Sequence, residues 1–80
     1  MRHKVKIEDV HYENIIAGRK RFEIRYNDRG YQLGDELEFA DIYGSGRQGV
    51  WKIIYVHSGY GMAENFVVLG IEPLTESGRG

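Results

Sequence analysis

The chain has 80 residues, one proline, eleven glycines and no cysteine. Eighty residues build one domain, because a second core would have too little apolar surface left to bury, and the lack of Cys excludes a disulfide framework or a thiolate metal site. A formal net charge of −1 excludes a general DNA-coating protein. No apolar run approaches the roughly 18–20 residues of a membrane span, and Met1 to Lys6 lacks the apolar stretch of a secretory signal. The expectation is a soluble, cytoplasmic domain over residues 1–74 with a flexible tail over 75–80.

Charge is unevenly spread. Met1 to Arg29 holds eight basic and five acidic side chains, whereas Gly30 to Gly80 holds three basic and seven acidic. The basic excess gathers at Arg19, Lys20, Arg21, Arg25 and Arg29. On a near-neutral chain such a cluster suits one nucleotide or a short strand better than a long duplex, although charge runs are most often solvated faces.

In chain order, Val5 and Ile7 alternate with Lys4, Lys6 and Glu8 as a short first strand. Glu8 to Ala17 carries a helical stripe of Val10 or Tyr12 with Ile15 and Ile16, and Gly18 suits the left-handed position just past a helix end. Arg21 to Tyr26 alternates as a strand: Phe22, Ile24 and Tyr26 form one face, expected in the core, and Arg21, Glu23 and Arg25 form a polar face. Asn27 to Gly30 and Leu33 to Asp35 read as turns. Glu36 to Tyr43 is a strand with Leu37 and Phe39 opposite Glu36 and Glu38. Val50 to His57, apolar on both faces, reads as a central strand. Ser58 to Asn65 is a loop, and Phe66 to Ile71 is the last strand, ended by Pro73. The fold class is therefore mainly β (α+β), a five-stranded, partly closed small β-barrel with one N-terminal helix.

Several motifs fail on context. Gly44-x-Gly46-x-x-Gly49 matches a dinucleotide fingerprint but precedes a strand, not a helix, so its glycines read as a hairpin connection. His3, His11 and His57 lack metal-ligand spacing, and no serine sits in a nucleophile elbow. Neither metal nor cofactor is expected. The informative segment is Gly18-Arg19-Lys20-Arg21-Phe22-Glu23-Ile24-Arg25. Glu23 and Arg25 share one face of a strand, where a carboxylate can orient a guanidinium toward an anion or a base edge.

Gly18-x-Lys20-x-x-Glu23-x-Arg25 resembles the G-x-K-x-x-E-x-R signature of ASCH domains, of the PUA-like superfamily. The flanking text is similar to a small, uncharacterised, RNA-binding-protein-like branch of that family. It includes His3-Lys4-Val5-Lys6-Ile7 at the start and Tyr26-Asn27-Asp28-Arg29 with Gly34-Asp35 after the signature. Phe66-Val67-Val68-Leu69-Gly70-Ile71 completes it. The resemblance spans His3 to Glu72 and implies a PUA-like barrel that binds single-stranded RNA, a nucleotide or a nucleoside beside the signature. On that basis Lys20, Glu23 and Arg25 are the expected nucleic-acid-binding residues, Arg29 extends the positive rim, and Tyr60 stacks on a base. Some small ASCH proteins are amidohydrolases on N4-acetylcytidine, which makes Lys20 and Glu23 candidate catalytic residues. Here Glu23 stands where those enzymes carry Thr, and their later acidic residue has no counterpart, so binding leads and hydrolysis is the alternative. A third alternative is a protein-interaction module meeting an acidic protein partner.

Overall fold

The computed structural model describes residues 1–41 and 49–74. The tail at 75–80 and all of the expected glycine connection except Gly49 lie outside the described residues. The elements in chain order are β1 (Arg2–Ile7), α1 (Asp9–Ile16), β2 (Phe22–Tyr26), β3 (Glu36–Asp41), β4 (Val50–Ser58) and β5 (Phe66–Pro73). The strands form one sheet in the order β1-β3-β4-β5-β2, curled into a half-barrel. Among the described residues the fold is thus mainly β with one short helix, which comes second, after β1. β1 runs parallel to β3, and every other pairing is antiparallel. Among the described residues no helix is long and apolar enough to cross a membrane.

β1 buries His3, Val5 and Ile7 and exposes Arg2, Lys4 and Lys6. Its register with β3 sets Arg2 opposite Glu36 and Lys4 opposite Glu38. Arg2 Nε donates to Glu36 at 2.9 Å. Such exposed pairs contribute little, about 0–1 kcal/mol, but they favour this register over its slips. The helix buries Tyr12 and Ile15, whereas Val10 and Ile16 stay exposed. Tyr12 meets Phe39 and Trp51 edge-on, and those two rings are tilted against each other, with centroids 5.2–6.4 Å apart. Leu37, Ile53, Leu69 and Val5 complete the best-buried part of the core. β4 lies in the middle of the sheet, as its apolar run requires. A bulge after Ile53 shifts its register, so Tyr55 comes opposite Gly70.

The reading of β2 needs one correction. Its alternation is present but its orientation is reversed: Glu23 is 5% exposed, whereas Phe22, Ile24 and Tyr26 are half-exposed on the outside. Register decides this. Glu23 pairs with Leu69 and Arg25 with Val67, and Leu69 and Val67 are core residues, so Glu23 and Arg25 share the inner face. Alternation defines two faces but not which one a curled sheet encloses.

Candidate functional site

The site begins where the helix stops. Gly18, at φ 81°, takes the left-handed conformation that a side chain disfavours. Its N–H donates to Ile15 O, and the N–H groups of Arg19 and Lys20 both donate to Asn14 O, each at 3.0 Å. These bonds satisfy the last helical carbonyls and turn the chain into β2. Lys20 is thereby held beside the start of β2, close to its inward-facing Glu23.

Lys20, Glu23 and Arg25 meet there. Lys20 Nζ lies 3.4 Å from Glu23 Oε1, and Arg25 Nη1 donates to Glu23 Oε2 at 3.2 Å. Side-chain exposure falls to 7% for Glu23, with 17% for Lys20 and 24% for Arg25. A carboxylate this buried needs a charged partner, and two cations supply it from opposite sides. Arg25 Nη1 also donates to Lys6 O at 3.0 Å, so Arg25 spans from β2 to β1, the two outer strands of the sheet.

His11 belongs to this cluster although no motif marks it. Its Nδ1 is 3.1 Å from Lys20 Nζ. An ammonium only donates, so Nδ1 accepts and the ring proton sits on Nε2, which faces Glu8 at 3.7 Å. The sequence carries no cue for this contact, because it depends on the angle between α1 and β2.

Donor arithmetic shows what the cluster can still do. Lys20 has three N–H donors, of which two point at His11 and Glu23. Arg25 has five, of which Nη1 uses both of its own on Glu23 and Lys6. Among the described residues, one Lys20 donor and the Nε and Nη2 donors of Arg25 have no protein acceptor. Beside Lys20 opens a pocket of about 360 Å³, with Ile15, Trp51 and Ile71 on its apolar side and Lys20, Arg21 and Glu72 on its polar side.

The other expected residues stand apart. Arg29 is on the exposed turn after β2. Tyr60 tips the β4–β5 loop at 94% exposure, where His57 Nε2 donates to its carbonyl at 2.9 Å. Neither joins the hydrogen bonds of the Lys20–Glu23–Arg25 cluster. His3, buried on β1, has a structural role: its Nε2 donates to Asp35 Oδ2 at 2.8 Å. Asp35 also accepts from Gln32 N–H and lies 3.3 Å from the N-terminal ammonium. The His3 hydrogen bond leads these in holding the Asp35 carboxyl below its usual range, with burial opposing. Among the described residues no three His, Cys, Asp or Glu side chains gather as a metal site.

Comparison with known proteins adds family and fold. The model of a family described as a domain of unknown function, DUF3850, matches residues 2–71. No curated protein matches the chain. A solved structure described as hypothetical protein PH0355 is 19% identical, with a TM-score of 0.66, covering 92% of this chain and 100% of that one. At that identity the likeness speaks for the fold alone.

Proposed function

The chain belongs to the DUF3850 family, and on that footing we propose that it is an RNA- or nucleotide-binding module of the PUA-like, ASCH type. Lys20 and Arg25 hold a phosphate or a base edge, and Glu23 fixes both cations in place. One observation carries this reading: a buried carboxylate presents two half-buried cations whose remaining donors have no protein acceptor among the described residues. Orienting them costs little further entropy, because Glu23, His11 and Lys6 O already constrain both side chains. The pocket beside Lys20 gives an apolar wall for a base whose phosphate faces the cations. Arg29 extends the rim, and Tyr60 offers a stacking surface; base stacking on an aromatic contributes about 1–3 kcal/mol.

The test is fluorescence anisotropy with labelled hexauridylate. Lys20→Ala and Arg25→Ala each weaken binding, and each lowers the slope of log affinity against log salt by about 0.7 if it removes one phosphate contact. Affinity unchanged in both variants removes the proposal. The His11 nitrogen 3.1 Å from Lys20 Nζ favours a second reading, in which it accepts a proton from Lys20 during amide hydrolysis. Turnover of N4-acetylcytidine that Lys20→Ala abolishes would select it.

A further inference from the structure

The outer face of the sheet is unusually aromatic. Phe22, Tyr26 and Phe66 are 42%, 52% and 38% exposed, Tyr55 is 63% exposed, and Ile24 and Ile54 lie among them. Exposed apolar patches on small domains commonly mark binding surfaces. This one has internal order. Gly70 pairs with Phe22 on one side and with Tyr55 on the other, so a row across three strands reads aromatic, glycine, aromatic. Strands lie about 4.8 Å apart, which sets the two flanking backbones roughly 10 Å apart. A flat ring over Gly70 can then touch both side chains at about 3.5–4.0 Å.

Two local features keep this gap. Gly70 interrupts the apolar run from Phe66 to Ile71, and a Cβ there would lie 3.1 Å from Tyr55 Cβ. The bulge between Ile53 and Tyr55 is what brings Tyr55 opposite Gly70, and bulges re-aim side chains in this way. The occupant's charge is set by the neighbouring chain. Lys20 Nζ lies 5.4 Å from the centre of the Phe22 ring, and Arg21, exposed, directly precedes Phe22. A neutral apolar segment has no use for these cations, whereas a base with its phosphate matches both parts.

We propose that Phe22, Gly70 and Tyr55 form a base-stacking slot for single-stranded RNA, continuous through Lys20 with the inner cluster. This rests on the RNA-binding reading and deepens it: the ligand is a strand of at least two nucleotides rather than a free nucleotide. One nucleotide lies at Lys20 and Arg25, and a neighbouring base lies over Gly70. Stacking platforms of this kind tolerate any base, because every base has a π-face.

The experiment measures labelled hexauridylate and UMP against the full chain and its variants, with circular dichroism to check folding. Hexauridylate binds more tightly than UMP. Tyr55→Ala and Phe22→Leu each weaken hexauridylate about 5- to 150-fold, the range that losing one base stack gives. Tyr55→Phe stays within about twofold, since the ring is kept. Because Tyr55 is 63% exposed, its removal leaves the fold intact. If Lys20→Ala weakens binding but Tyr55→Ala and Phe22→Leu do not, the slot is refuted and the inner site stands. If hexauridylate does not bind at all, both fall. A concentration-dependent dimer that Tyr55→Ala dissociates, with no response to RNA, assigns the face to a second copy and also refutes the slot.

Discussion

The orientation of β2 makes opposite demands on two adjacent side chains. Glu23→Ala removes a carboxylate that is 7% exposed and leaves Lys20 and Arg25 facing each other. Breaking a fully buried pair costs about 3–5 kcal/mol, and an exposed one about 0–1 kcal/mol. Lys20 and Arg25 are 17% and 24% exposed, so both can turn toward water, and the cost falls to about 1–3 kcal/mol. Ile24→Thr keeps the β-branch and alters a side chain already 51% exposed. With no enclosed cavity to open, its cost stays below about 1 kcal/mol. For a domain this small the urea slope is about 1 kcal/mol/M, so the midpoint drops by about 1–3 M for Glu23→Ala and by less than about 1 M for Ile24→Thr. Urea titration followed by tryptophan fluorescence reads both, since Trp51 lies in the core. An Ile24→Thr cost exceeding that of Glu23→Ala would mean that the apolar face is the buried one and that the inner cluster does not exist.

Asp35 and Gly18 give two further expected outcomes. The Asp35 carboxyl is held below its usual range chiefly by His3, so the unfolded chain takes up its proton first as pH falls. That stability is fully present above the ordinary Asp value of about 3.9 and is lost as pH drops toward the lower folded value. Asp35→Asn therefore lowers stability at neutral pH and flattens the decline below about pH 4 in acid denaturation curves. An unchanged acid limb contradicts the role given to Asp35. Gly18→Ala meets open space but must hold φ at 81°. Thermal melts are expected to register a loss of about 1 kcal/mol from backbone strain alone, and a stabilised variant would mean that the helix ends differently.

Much of this was legible in the residues. Gly18 marked the helix end, the apolar run 50–57 marked a central strand, and the spacing of Glu23 and Arg25 put them on one face. What the sequence did not carry was geometry across elements. The choice of inner face for β2 follows from its register with Leu69 and Val67, a pairing more than forty residues apart. His11 meets Lys20 only because Tyr12 and Ile15 anchor α1 in the core and so set its angle to β2. Tyr31, between the turns read at Asn27 to Gly30 and Leu33 to Asp35, is buried at 5% with its ring 4.8 Å from that of His3; nothing local to those turns signals that contact. Tyr55 owes its outward position to a bulge that no residue type announces.

Amide chemical-shift mapping of the full chain with hexauridylate shows whether RNA reaches Lys20, Glu23 and Arg25. The largest shifts are expected on Gly18 to Arg25 and His11, and Lys20→Ala and Arg25→Ala suppress them together. Shifts gathered elsewhere, on β1 or the turn at Leu33 for instance, would contradict it, as would a spectrum that the RNA leaves unmoved.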